Sequence, residues 1–286
     1  MPDRPRNVGA SVRQRLLNLA HARSQPMELL LTRYALERLL HRLSLSPHRE
    51  RFVLKGAMLL ATWFDEPHRA TRDVDLLGFG DAADVALLAT FREIMAIEVD
   101  DGVSFDRKGL KIEAIREEAE YGGSRLRTTA ALAGARIPIT VDIGFGDAVE
   151  PGVEDIDLPV LLDMPSPHLR AYPLETVIAE KFHAMVVLGR ANSRMKDYYD
   201  VWMLTSTFEI EPERLQRAIA ATFERRRTEI PASVPDGLSD DFYADAGKQR
   251  QWSAFARTLS SQVPELGRVV LALREKLMEI SAPNRL

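Results

Sequence analysis

The chain contains no cysteine. That excludes disulfide staples and thiolate metal sites and makes the cytoplasm the expected compartment. No stretch approaches the roughly 18 consecutive apolar residues that cross a bilayer, so no membrane partner is expected. The opening residues, MPDRPRNVGASVRQRLL, are basic but hold no apolar core of the kind a secretory signal needs. There is no GxxxxGK[ST] phosphate loop, no nucleophile elbow and no metal-ligand spacing among the histidines. Excess charge is also lacking: a net −4 over 286 residues argues against wholesale coating of nucleic acid.

What remains is a soluble globular composition, 45% hydrophobic and 28% charged, enough for one or two cores. Charge is uneven along the chain. Residues 1–50 hold nine arginines against four acids, and Arg225, Arg226 and Arg227 form a second basic group. Such groups attract polyanions or are simply solvated helix faces.

Hydrophobic periodicity predicts a helix over residues 26–45, a strand at RFVL, a helix at AMLLATWF, a strand at DVDLLGF and a helix over 82–96. Strands follow in VSFDRKGLKIEAIR, SRLRTTAAL and RIPITVDIGFG, with turns at Gly122-Gly123 and AGAR, and one more at LPVLL. From Pro173 onward the pattern is helical, over 174–189, 196–208, 211–227, 240–260 and 265–280. The expected organisation is an N-terminal helical region (1–50), an α/β region (51–168) and a helical region (169–286).

The string RDVDL places Asp73 and Asp75 on one face of a strand, with Val74 and Leu76 on the other. Two carboxylates so close repel, and burying them unpaired is costly. A divalent cation removes both problems, since Mg²⁺ takes one or two carboxylates plus substrate phosphates. The alternative is pairing with Arg69, Arg72 or a backbone turn. In RIPITVDIGFG, Ile137, Ile139, Val141 and Ile143 share one face while Thr140 and Asp142 take the other. If the strands pair, Asp142 supplies a third carboxylate, as two-metal phosphoryl or nucleotidyl transfer uses. Upstream, Lys55-Gly56 falls at a strand-to-helix junction, where a glycine lets phosphate approach backbone N–H groups.

The helical half carries its own anomalies. Lys181 lies within the stripe Leu174, Val177, Ile178, Met185 and Leu188, on an inward face where a lysine either snorkels or meets phosphate. Asp197 shares a face with Val201, Leu204 and Phe208. It reads as a helix-start acid or as a functional one. Asp200 is explained likewise, or by pairing with Lys196. His183 falls on the side of the helix away from Lys181 and is read as structural.

KGAMLLATWFDEPHRATRDVDL resembles the first motif of the polymerase-β-like nucleotidyltransferase superfamily. Together with IAEKFHAMVVLGRANSRMKDYYDVWML (178–204) it is similar to the AbiEii-type nucleotidyltransferase toxins. The resemblance implies an α+β, two-lobed fold: an N-terminal polymerase-β-like mixed sheet with flanking helices, and a C-terminal helical lobe completing the cleft. It implies NMP transfer from an NTP with Mg²⁺ or Mn²⁺ on Asp73, Asp75 and Asp142. Lys55, Gly56, Arg72 and Lys181 would bind the nucleotide, and Asp197 would orient a basic group or the acceptor. It further implies a toxin with a cognate antitoxin, acting on the 3′ end of tRNA. A small-molecule or protein hydroxyl is the alternative acceptor, and a non-catalytic nucleotide or partner binder the alternative role. The family commonly has a second small residue and a hydroxyl after the glycine. Ala57 and Met58 stand there, so position 58 offers no hydroxyl to a triphosphate.

Overall fold

Eight strands among the described residues form one mixed sheet, and the acidic strings sit on its central members. The computed structural model describes residues 7–64, 71–115, 122–259 and 263–281. Arg4, Arg6 and Arg69, weighed above, lie outside them. Contacts divide the chain into two compact units, Met1–Gly146 with Glu154–Ala171, and Asp147–Val153 with Tyr172–Leu286.

The first unit runs α1 (Val8–Arg23), α2 (Met27–Leu45), β1 (Phe52–Lys55), α3 (Leu60–Trp63), β2 (Val74–Gly78), α4 (Asp84–Ala96), β3 (Val103–Phe105), β4 (Lys111–Ile115), β5 (Gly123–Leu132), β6 (Ala135–Phe145), β7 (Glu154–Asp157) and β8 (His168–Ala171). Strand order is β3-β5-β6-β2-β1-β8-β7, with β4 also pairing β5. β1 is antiparallel to β2 and parallel to β8, and β2 is parallel to β6. The mixed sheet expected from sequence is present. β6 alternates as predicted: Ile137, Ile139, Val141 and Ile143 are buried, while Asp142 is part-exposed on the other face. The AGAR turn closes the β5–β6 hairpin, with Ala133 at φ 43° and Gly134 at φ 83°. That pair of positive values is what a two-residue type I′ turn requires.

Three local expectations change. The helix predicted at AMLLATWF shrinks to one turn. Leu59, Leu60 and Ala61 donate to carbonyls three residues back, at Gly56, Ala57 and Met58, so the chain turns tightly before α3 begins. LPVLL is not a strand. The two strands there are β7 and β8, which pair with each other across it, Ile156 opposite Leu169. Proline carbonyls of the intervening loop instead accept from buried arginines, Pro159 from Arg33 and Pro165 from Arg38. The sequence reading also missed α1, in which one buried residue per turn (Val12, Leu16, Ala20) is surrounded by polar ones. Its start is capped by Asn7, whose side chain accepts from Ala10 N–H at 3.0 Å.

Part of the N-terminal basic excess is internal. Arg33, Arg38 and Arg42 are all buried on α2. Arg42 forms a fork on Asp101 at 2.6 and 3.1 Å, and Arg33 pairs with the fully buried Glu37 at 2.7 Å. Burial lowers the basicity of Arg38, an effect that Glu37 and Tyr34 partly offset.

The second unit holds α5 (Leu174–Leu188), α6 (Met195–Thr207), α7 (Pro212–Arg225), α8 (Asp240–Ala244), α9 (Ala246–Ala256) and α10 (Leu266–Ser281). Its core joins Val201 and Leu204 of α6, Leu215 and Ile219 of α7, and Leu273 and Leu277 of α10, all buried. The helix predicted over 240–260 is two. Asp245 breaks it and then caps α9, accepting from Lys248 N–H at 2.9 Å.

Candidate active site

Strand register sets the acids side by side. Lys55 of β1 is the Cα partner of Asp75 on β2, Asp75 of Asp142 on β6, and Asp142 of Arg125 on β5. Directly opposed residues point to the same face of a sheet. Arg125 is in turn the partner of Glu113 on β4, so one row across five strands reads Lys55, Asp75, Asp142, Arg125, Glu113. The adjacent acids Asp75 and Asp142 would repel, and the cations that flank them, Lys55 and Arg125, offset this.

Gly56 follows Lys55 at φ 71°, a conformation that favours glycine. A Cβ there would fall 1.9 Å from Asp75 Oδ2 and 2.8 Å from Asp75 Cβ. The Lys-Gly pair thus has a structural reason visible only in three dimensions: the backbone at 56 must make room for the acid. Asp73, at the entry to β2, accepts from the Thr71 hydroxyl at 2.8 Å on Oδ1. Arg72 is exposed, and among the described residues no ion pair joins it to either aspartate. Met58 is buried at 1% exposure, so its side chain belongs to the core.

Asp142 is committed to Arg125. The guanidinium donates Nε to Oδ1 at 2.7 Å and Nη2 to Oδ2 at 2.6 Å, the side-on fork that charge-assisted pairs favour. These bonds raise the arginine's basicity further, with Asp73 adding to the effect from nearby. Reasoning from sequence missed Arg125, because its partner is fixed by the β5–β6 register rather than by any spacing in the chain.

The donor set suits a hard divalent cation: Asp73 and Asp75 offer carboxylate oxygens, the ligands Mg²⁺ and Mn²⁺ take. Among the described residues no cluster of three or more His or acidic side chains is arranged to hold a metal ion. Asp142, beside Asp75 in the row, accepts one bond from Arg125 on each oxygen and keeps a lone pair on each.

In the helical unit, Lys181 of α5 meets two acids of α6. Its Nζ donates to Asp197 Oδ1 at 2.5 Å and to Asp200 Oδ2 at 2.9 Å. The acids are 0% and 1% exposed and the lysine 13%. Arg194 Nε lies 2.6 Å from the second Asp197 oxygen. Burial pushes the Asp197 carboxyl up, but Lys181 and Arg194 outweigh it and hold it below its usual value. Asp200 thus pairs with Lys181 in addition to any role at the helix start. Asp197 pairs with two basic groups, Lys181 and Arg194.

Two residues further along α5, His183 donates or accepts at Thr228 Oγ1 (3.0 Å) and lies 3.3 Å from Arg226 Nη1. Burial, with the neighbouring Arg226 charge, lowers its pKa to about 4, consistent with a structural role. Arg226 also bonds Asp147 and Glu180, each at 3.1 Å. Of the second basic group only Arg225 and Arg227 are exposed.

The family described as nucleotidyl transferase AbiEii toxin of type IV toxin–antitoxin systems matches residues 38–279. The chain belongs to this family. Two solved structures share its fold. The protein JHP933 of Helicobacter pylori is 15% identical, with 90% of this chain and 93% of that one covered and a TM-score of 0.52. A candidate nucleotidyltransferase from H. pylori is 16% identical, with 90% and 96% covered and a TM-score of 0.53. No curated protein matches at a significant level. AbiEii membership makes the chain a nucleotidyltransferase with a toxin role. The segments quoted for the resemblance, 55–76 and 178–204, both lie inside the matched region.

Proposed function

We propose that this AbiEii protein transfers NMP from an NTP to the 3′ end of tRNA in a metal-dependent reaction in the cytoplasm, with a cognate antitoxin as its protein partner. The observation that carries the reading is the Asp73-x-Asp75 pair at the start of β2, with Asp75 fitted against the Cβ-less Gly56. Such a fit fixes one carboxylate in place before substrate arrives, and positioning is most of what phosphoryl chemistry asks of a protein.

Asp73 and Asp75 would hold Mg²⁺ or Mn²⁺, which when bound supplies charge neutralisation at the α-phosphate and the leaving pyrophosphate. Lys55 and Arg125, flanking Asp75 and Asp142 in the row, would supply positive charge to a triphosphate bound there. Lys181, held by Asp197 and Asp200, is assigned to the nucleotide phosphates, and Asp197 to setting its position. Exposed Arg225 and Arg227 provide contacts for acceptor phosphates.

The test is incubation of the protein with each α-labelled NTP, Mg²⁺, total RNA and a protein extract. Label in tRNA that disappears with Asp73→Asn supports the proposal. Label confined to protein or small molecules moves the acceptor to those hydroxyls. Absence of any label with all four NTPs, from protein that still binds nucleotide, leaves the non-catalytic binder in its place.

A further inference from the structure

We infer that Arg38 of α2, with His41 beside it, holds a small monovalent anion of halide size in the interior of the first unit, between that helix and the β7–β8 loop. The site is separate from the acid row and does not rest on the transferase reading.

The three buried arginines of α2 are provided for very differently. Arg42 uses every donor of its guanidinium. Nε bonds the Ile97 carbonyl, Nη1 the Arg38 carbonyl and Asp101, and Nη2 Asp101 and the Val103 carbonyl. Arg33 bonds Glu37 and the Pro159 carbonyl. Arg38, at 0% exposure, donates Nη2 to the Pro165 carbonyl at 3.0 Å. Its Nε and Nη1 are shielded from solvent and have no hydrogen-bond partner. The Tyr34 ring lies 5.7 Å from the guanidinium carbon. That stabilises the charge but gives those N–H groups no oxygen to meet.

The buried charges do not balance. Arg33, Arg38 and Arg42 face only Glu37 and Asp101, which leaves one positive charge over. Glu37 accepts from Arg33 at 2.7 Å and from Leu161 N–H at 3.1 Å. Asp101 accepts from Arg42 and from Val103 N–H. Among the described residues neither acid forms an ion pair with Arg38. Burial pushes the Glu37 carboxyl up, which can only enlarge the excess, and burial keeps Tyr34 neutral. Arginine cannot shed its proton, and a buried charge without a counterion is costly. A water would meet the idle donors and leave the charge. A dianion would overshoot it. A monovalent anion satisfies both.

His41 stands three residues from Arg38 on the same side of α2. The two reach consecutive residues of the loop, Arg38 the Pro165 carbonyl and His41 the backbone of Ser166. His41 Nδ1 is also buried without a partner. Burial and the Arg38 and Arg42 charges keep this imidazole below its ordinary pKa, against the opposite pull of Asp101 and Ser166. At neutral pH the anion balances Arg38 alone. Its field raises the His41 pKa, so by linkage its own binding tightens as pH falls. The loop held in this way leads into β8, which pairs with β1 at Ala171 and Leu54, next to Lys55.

The experiment measures urea midpoints with sodium chloride exchanged for sodium gluconate at constant ionic strength, at about pH 8 and about pH 5.5. Gluconate is monovalent but too large for an enclosed site. The proteins are the parent, Arg38→Met, Arg38→Lys and His41→Gln. Chloride at about 100 mM is expected to shift the parent's folding equilibrium about tenfold in favour of the native state, and to saturate. Arg38→Met should lose the shift, because no charge remains to balance. Arg38→Lys, which keeps the charge, should retain part of it and serves if the methionine variant does not fold. His41→Gln should keep the shift at about pH 8 and lose its increase at about pH 5.5. Parent crystals soaked in bromide should show anomalous density within hydrogen-bond reach of Arg38 Nε or Nη1. Equal midpoints of the parent in chloride and gluconate overturn the inference. Bromide density without that shift marks an adventitious ion only and overturns it equally. A full shift that persists in Arg38→Met places the ion elsewhere.

Discussion

Gly56 and Asp75 touch so closely that a Cβ on the glycine would sit 1.9 Å from a carboxylate oxygen of the aspartate. A rotation of the carboxylate alone does not relieve this, because Asp75 Cβ is itself only 2.8 Å from the same point. Gly56→Ala must displace β2 or its acid, and it also places a side chain at φ 71°, costing about 1–2 kcal/mol by itself. Transfer should fall about 100-fold or more, since small misplacements of reacting groups have that effect. Unfolding should remain cooperative, so activity and thermal melting together check the prediction. Near-parental transfer would mean that the position of Asp75 is not what catalysis needs.

Lys181 is expected to matter for stability as well as for phosphate. Removing it leaves Asp197 and Asp200, at 0% and 1% exposure, with no ammonium between them. Breaking a buried pair this way costs roughly 3–5 kcal/mol. Lys181→Met should therefore melt well below the parent, and loss of activity in that variant alone would not identify a substrate role. The triple variant Lys181→Met/Asp197→Asn/Asp200→Asn removes the buried negative charges along with the ammonium and should regain much of the stability while remaining inactive. Recovery of activity along with stability would reduce Lys181 to a structural ion.

Much of the site was legible in the chain itself. The alternation in β6 separates Asp142 from its apolar neighbours, and Asp75 lies on β2 beside it, while Asp73 precedes the strand. Lys181 stood out because a lysine interrupts an apolar stripe. What sequence could not supply was pairing. That Arg125 faces Asp142 depends on the β5–β6 hairpin register, and that Asp101 receives Arg42 depends on two elements 59 residues apart. Charge counting therefore overstated the basic surface near the N-terminus. LPVLL failed as a strand for a related reason: its apolar residues sit among three prolines, which cannot donate to a sheet ladder. α1 was missed because a single buried residue per turn leaves little amphipathic signal.

His183 gives stability a pH dependence of definite sign. Its pKa falls from 6.5 to about 4 in the folded state, so between those values the unfolded chain binds more protons. Stability is then fully present above the unfolded value and is lost as pH falls toward 4. The full difference amounts to roughly 3 kcal/mol. Urea midpoints measured at about pH 7.5 and again at about pH 5 should diverge in the parent and diverge less in His183→Gln. An unchanged difference would assign the acid sensitivity to the neighbouring Asp147 and Glu180 carboxylates instead.

The distinction between buried and exposed arginines predicts opposite phenotypes. Arg42 donates to both oxygens of Asp101 and to the Val103 carbonyl, and both charged partners are nearly inaccessible. Arg42→Met should lower stability by roughly 3–5 kcal/mol because Asp101 is left buried and unpaired. Any effect on RNA binding should follow from unfolding. Arg225 and Arg227 are exposed, and charge reversal at both should leave melting nearly unchanged. If they touch acceptor phosphates, RNA affinity falls for every sequence alike, and the slope of log affinity against log salt becomes shallower by about one for every phosphate no longer neutralised. Binding measured between about 50 and 200 mM salt resolves that change in slope. An unaltered slope with intact folding would remove these two arginines from the acceptor surface and leave Arg13, exposed on α1, as the next to reverse.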